Sequence, residues 1–158
     1  MLMELKRYKE AVTSYNRTLK INPNDSDAWR GHGDAQAKLK RDTKAVNSYS
    51  QALKINPNDS DAWSSYGFSL YILGRYEEAV NSYDRALEIK PNDDEVWYNI
   101  ARCYALQGNL EQATENLQRA IELNPQRRRA MAENDLDVVR IRYNERFQKL
   151  IQGINKEN

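Results

Sequence analysis

A single cysteine, Cys103, leaves no internal disulfide to form and suits a reducing compartment, so the cytoplasm is the expected location. A single histidine, His32, excludes a histidine-based catalytic triad and a histidine-rich metal site built within one chain. No apolar stretch approaches the roughly 18 residues that a membrane span needs, and no cleavable leader is visible. Neither sign of charge dominates: 24 Lys and Arg stand against 23 Asp and Glu, a net +1, which selects neither a nucleic acid nor a membrane. Glycine and proline are scarce as well, with six and four residues in 158. Such a chain is expected to be mostly helical, with much surface for its core.

The four prolines are Pro23, Pro57, Pro91 and Pro125, and 34 residues separate each from the next. The period extends to the flanks. INPNDSDAW from Ile21 recurs unchanged from Ile55 and returns as IKPNDDEVW from Ile89. Upstream of the prolines lie AVTSYNRTLK from Ala11, AVNSYSQALK from Ala45, AVNSYDRALE from Ala79 and a diverged ATENLQRAIE from Ala113. Fixed repeats of this length are stacked supersecondary units, none of which buries its apolar face alone.

Residues 60–93 form the clearest unit. Asn58 and Asp59 cap the start of a helix whose apolar stripe is Trp63, Tyr66, Leu70 and Leu73, and Gly74 stops it. A second helix from Tyr76 carries Ala79, Val80, Tyr83, Ala86 and Leu87, and Pro91 ends it. Gly67, Ala79 and Ala86 let the two backbones approach. The pattern W-x2-Y/L-G-x2-Y/L, then G, A-x3-Y/F, A and P resembles the tetratricopeptide repeat. Its anchors are Trp29, Gly33, Ala45, Tyr49, Ala52 and Pro57 in residues 26–59, and Trp63 to Pro91 in residues 60–93. In residues 94–127 they are Trp97, Tyr104, Gly108, Ala113, Ala120 and Pro125, with Ala101 in place of the mid-helix glycine. The resemblance implies an all-α, right-handed α-solenoid of stacked antiparallel helix pairs.

Departures are informative. His32 and Gln36 take usually apolar positions and Lys40 replaces the turn glycine, so the first complete repeat is expected to pack more loosely. Residues 1–25 hold the tail of a first helix, Met1 to Leu5, and one second helix. The chain reads either as a fragment of a longer array or as one whose first hairpin something else completes. Met1, Leu2, Met3 and Leu5 leave an apolar end suited to self-association into a homo-oligomer. Residues 128–152 resemble the helical cap of such arrays, with Leu136, Val138, Val139, Ile141, Phe147, Leu150 and Ile151 covering the last repeat. Residues 153–158 are expected to fray. From Gln126 onward eight Lys or Arg stand against five Asp or Glu. Arg127, Arg128 and Arg129 read best as a solvated helix face, and no nucleic acid is expected.

No catalytic residue, cofactor or metal site is expected. His32 and Cys103 read as packed interior residues, Gly31-His32-Gly33 follows no strand, and the DSD and NDD clusters lack the glycine and glutamate of a calcium loop. The chain is not expected to be an enzyme. What the resemblance implies is a protein or peptide partner held on the concave side, lined by the first helix of each pair. That face carries Arg30, Asp34 and Lys38 in the first complete repeat, Ser64, Ser65, Phe68 and Tyr71 in the second, and Tyr98, Asn99 and Arg102 in the third. Its centre is aromatic, and aromatic anchors supply contact area at low entropy cost. Family members that clamp a chaperone's terminal carboxylate use basic and amide residues on these faces. Arg30 fits, but Asp34 and Ser65 stand where asparagines are expected, and Glu95 and Asn99 where basic residues are. A chaperone tail is therefore not the expected ligand.

Overall fold

The computed structural model describes residues 2–152, with side chains from residue 3 onward. Met1, the Leu2 side chain and the 153–158 tail lie outside that description. The described residues are all helix and turn, and they fall into two compact units, Met1–Ile89 and Lys90–Asn158. The architecture is that of an all-α helical-repeat solenoid, stacked antiparallel helix pairs within each unit.

The first unit contains α1 (Leu2–Ile21), α2 (Ser26–Lys38), α3 (Asp42–Ile55), α4 (Ser60–Ile72) and α5 (Tyr76–Ile89). Each pair is started, crossed and closed by the repeated residues. Asp25 and Asp59 cap α2 and α4 by accepting from the backbone N–H of Ala28 and Ala62, which satisfies an otherwise orphaned donor. The indole N–H groups of Trp29 and Trp63 donate to the carbonyls of Pro23 and Pro57, both at 2.8 Å. The tryptophans thus tie the inter-repeat turn as well as packing beside it. Where α2 crosses α3 and α4 crosses α5, glycine is required sterically. A Cβ on Gly33 would meet the Tyr49 ring at 2.6 Å, and one on Gly67 would meet the Tyr83 ring at 2.9 Å. Both tyrosines are buried, with Ala45 and Ala79 fully buried beside them.

The expected two pieces of residues 1–25 are one continuous rod, α1. Lys6 stands one period before Lys40, where the other copies turn, but it lies inside helix and breaks nothing. Lys40 does turn. It adopts φ 58°, the left-handed conformation that Gly74 and Gly108 hold at φ 74° and 77°. The first complete repeat nevertheless closes, with its polar core residues linked to one another, although the buried Gln36 Oε1 finds no partner. Ser48 Oγ donates to the Lys44 carbonyl and lies 2.8 Å from His32 Nδ1, and Gln36 Nε2 lies 3.3 Å from His32 Nε2. The serine's hydrogen is committed to Lys44, so Nδ1 is the protonated nitrogen of a neutral ring.

The second unit contains α6 (Asp94–Leu106), α7 (Leu110–Leu123), α8 (Pro125–Asn134), a 3-10 turn (Val139–Ile141) and α9 (Glu145–Gln152). Asp93 caps α6, and Trp97 donates to the Pro91 carbonyl at 2.9 Å. Pro125 behaves differently from its three predecessors: it opens α8 at the first helical position instead of standing in an extended turn. Met131 stands where tryptophan would, and a thioether has no N–H to offer the proline carbonyl. Ala132, Val138, Ile141, Phe147 and Leu150 close the core over Ala101, Leu117 and Ala120. Leu136, expected among the covering residues, points outward at 81% exposure, and Leu73 of the α4 stripe is likewise exposed.

Candidate partner-binding face

On α2, Arg30 is drawn to carboxylates on both sides. Its Nε lies 3.1 Å from Asp59 and its guanidinium 3.5 Å from Asp27. Asp34 accepts from the Tyr49 hydroxyl at 2.8 Å. Burial and the neighbouring Asp34 charge push that phenol far above the usual tyrosine range. Lys38 is exposed at the end of the same helix.

On α4, Ser64 and Ser65 are half-buried, and the aromatic centre expected from the sequence is present. Phe68 stacks on Tyr71 with ring centroids 5.9 Å apart, and Tyr71 leans on Tyr76 of α5 at 6.0 Å. Phe68 is 42% exposed and Ile72, one turn further, 49%. Tyr76 escapes a reading by helix face, because it belongs to the other helix of the pair.

On α6 the expected residues face the chain itself. Tyr98 is 1% exposed. Its hydroxyl donates to Asp135 at 3.0 Å, and the Arg128 guanidinium lies over its ring at 5.4 Å. Arg102 reaches Asp135 at 3.2 Å and Asp137 at 2.8 Å, and it also donates to the buried Asn99 at 3.4 Å. The cap's irregular segment therefore covers Tyr98, Asn99 and Arg102, so the accessible part of the expected face is its α2 and α4 portion. The irregularity hid this: the covering carboxylates sit 33 to 37 residues on, outside any helix.

Two arginines of the run are employed internally, a correction to its reading as a solvated face, while Arg127 is exposed as expected. Arg128 is fully buried, with Nε 2.5 Å from Asp94, and Arg129 donates to the Leu150 carbonyl at 3.0 Å. Arg127 pairs with Glu95 at 3.6 Å and Arg146 with Glu115 at 3.8 Å.

His32 and Cys103 lie on α2 and α6. His32 packs edge-on to Trp29, and burial, with Lys44 nearby, holds its pKa below the usual value. Burial pushes the Cys103 thiol up to about 12, which keeps it an unreactive thiol. The described residues contain no group of three or more His, Cys, Asp or Glu placed to hold a metal, and no helix long and apolar enough to cross a membrane.

A family model described as tetratricopeptide repeat matches residues 2–66 and again 70–134, and a second of the same description matches 43–94. No curated protein matches the chain. Among solved structures, YrrB, described as a TPR protein with an unusual peptide-binding site, is 28% identical with a TM-score of 0.72. That match covers 77% of this chain, which spans 62% of the length of YrrB. MamA is 16% identical with a TM-score of 0.76, covering 92% of this chain and 87% of its own, a likeness of fold. With family matches across most of its length, the chain belongs to the tetratricopeptide repeat family.

Proposed function

We propose that this chain is a protein-binding scaffold whose partner, a peptide or helix, docks on the α2 and α4 face of the first unit. The observation that carries the reading is the Phe68–Tyr71–Tyr76 aromatic group, left partly open beside the exposed Ile72. Aromatic groups of this kind concentrate binding energy when a partner desolvates them. On α2, Arg30, Asp34 and Lys38 supply both signs of charge, and on α4 Ser64 and Ser65 add hydroxyls available to a partner's backbone. The family's use as interaction scaffolds and the peptide-binding site of YrrB agree with the reading. The cytoplasmic assignment rests on the single buried thiol.

Affinity capture from the native lysate tests the proposal. Phe68→Ala with Tyr71→Ala is expected to lower recovery of the specific partner at least tenfold, about 1.4 kcal/mol, while circular dichroism stays helical. An unchanged capture profile would remove this face from consideration.

A second reading, self-association through the start of α1, is favoured by Met3 at 83% exposure and Leu5 at 38%. Sedimentation at high concentration separates the two: here Leu5→Lys dissolves oligomers and leaves capture intact.

A further inference from the structure

The turns inside the α2–α3, α4–α5 and α6–α7 pairs follow one backbone course. The N–H of Arg41 donates to the Gln36 carbonyl at 3.0 Å, that of Arg75 to Leu70 at 2.9 Å and that of Asn109 to Tyr104 at 2.9 Å. Lys40, Gly74 and Gly108 take the left-handed position of each turn. With the backbone held constant, the turns differ in side chain alone.

That difference is one of charge. Residues 40–44, KRDTK, carry three cations and one carboxylate. Residues 74–78, GRYEE, carry one cation and two carboxylates, and residues 108–112, GNLEQ, a single carboxylate. Of the three, only the α2–α3 turn is positive.

The next repeat shows what this charge lacks. Arg75 is held by Glu78, three residues on, through hydrogen bonds of 2.7 and 2.6 Å. Arg41 stands in the same position, but Lys44 replaces the glutamate. Lys40, Arg41 and Lys44 are all exposed, and among the described residues none of them enters an ion pair. The one carboxylate, Asp42, is half-buried and pairs with none of them.

Local structure favours other residues at two of these positions. Lys40 holds φ 58°, where glycine is the unstrained choice. Arg41 gives α3 no side-chain cap, whereas Asn109 caps α7 by accepting from the Gln112 N–H. Both departures lower local stability, and both add a cation. Residues that break a local rule without a local gain mark functional positions.

The occupant must be anionic. Residues 40–44 include no ring on which a base could stack, since Asp42 takes the position of Tyr76, and no apolar side chain to enter a bilayer. A run of carboxylates on a polypeptide needs neither. We propose that Lys40, Arg41 and Lys44 form a docking site for an acidic segment of a partner protein. That segment supplies Arg41 with the carboxylate that Glu78 supplies to Arg75. The site lies at the hairpin turn and uses none of the residues assigned to the α2 and α4 face, so neither depends on the other.

The test uses the whole chain and a fluorescein-labelled, end-capped hexaglutamate peptide, followed by fluorescence anisotropy at low ionic strength. Saturable binding that weakens with added salt is expected. Lys44→Glu installs at Arg41 the pair that Arg75 and Glu78 form. It is expected to weaken peptide binding at least tenfold while thermal stability holds or rises. Lys40→Gly is expected to weaken binding as well, although it removes the strained turn residue, and Phe68→Ala with Tyr71→Ala to leave binding unchanged. An absence of saturable binding, or equal binding by the Lys44→Glu protein, overturns the proposal. Tighter binding of oligothymidylate or phosphatidylserine vesicles than of the peptide, lost in Lys44→Glu, would also overturn it, by making a nucleic acid or a membrane the occupant.

Discussion

At Gly67 an added methyl carbon would come within 2.9 Å of a ring that has no room to move, since Tyr83 is fully buried. The third repeat shows the alternative solution: Ala101 takes the glycine position and Leu117 the tyrosine position, both fully buried. Gly67→Ala alone is therefore expected to cost about 1–3 kcal/mol through overpacking. Adding Tyr83→Leu, which recreates the Ala101–Leu117 pairing, is expected to recover much of that loss in urea titrations. The turn at Lys40 argues in the opposite direction. A lysine at φ 58° holds a conformation that costs an L-residue roughly 1–2 kcal/mol and glycine almost nothing. Lys40→Gly is expected to stabilise the chain by up to about 1 kcal/mol once glycine's extra unfolded-state entropy is counted. If the midpoint of unfolding fell instead, the turn would owe its shape to the lysine side chain. Ala101 and His32 were legible in the sequence as departures from the period. What was hidden is that each departure has its compensation elsewhere, Ala101 in Leu117 and His32 in Ser48.

Among the elements, the helices and their caps were almost wholly legible, because Asp, Pro and Gly act on their own backbone within a few residues. The cap was less so. Its path depends on pairs such as Asp94–Arg128 and Tyr98–Asp135, which local pattern does not encode. Asp94→Ala is expected to leave the Arg128 guanidinium buried without its main partner. The full penalty for breaking a buried pair is about 3–5 kcal/mol, and Asp94 is a quarter exposed, so roughly 2–3 kcal/mol is the expected loss. Asp94→Ala with Arg128→Met is expected to be less destabilised than Asp94→Ala alone, which a double-mutant cycle measures. In the α2–α3 pair, pH provides the probe. The folded-state pKa of His32 is depressed, so the folded state disfavours the charged ring. Stability from this site is complete above the unfolded value near 6.5 and is lost as pH falls from there toward the lower folded value. Across that window the wild type is expected to lose thermal stability relative to His32→Gln, with the two curves parallel above pH 7.

For the molecule as a whole, the period disclosed the repeat class at once, and the site less completely. Phe68 and Tyr71 were readable as lying off the core stripe. Tyr98 shares that pattern but is buried, because the regular array was extended in expectation into a segment that is not regular. Each unit has its own apolar core, and repeat stability accrues from neighbouring elements. Removing the residues from 135 onward is thus expected to speed amide hydrogen exchange throughout α6 and α7, as Tyr98, Arg102 and Arg128 lose their cover, while α2 and α3 keep their protection. Uniform loss across all helices would contradict that expectation. The indole–proline bonds have one more consequence. Each complete repeat contains one tryptophan, and each indole is fastened to the turn leading into its own repeat. The chain therefore carries a built-in optical reporter for each joint that leads into a complete repeat. Variants that keep one tryptophan and replace the other two with phenylalanine would let emission spectra time the release of each joint, giving the order in which the array comes apart.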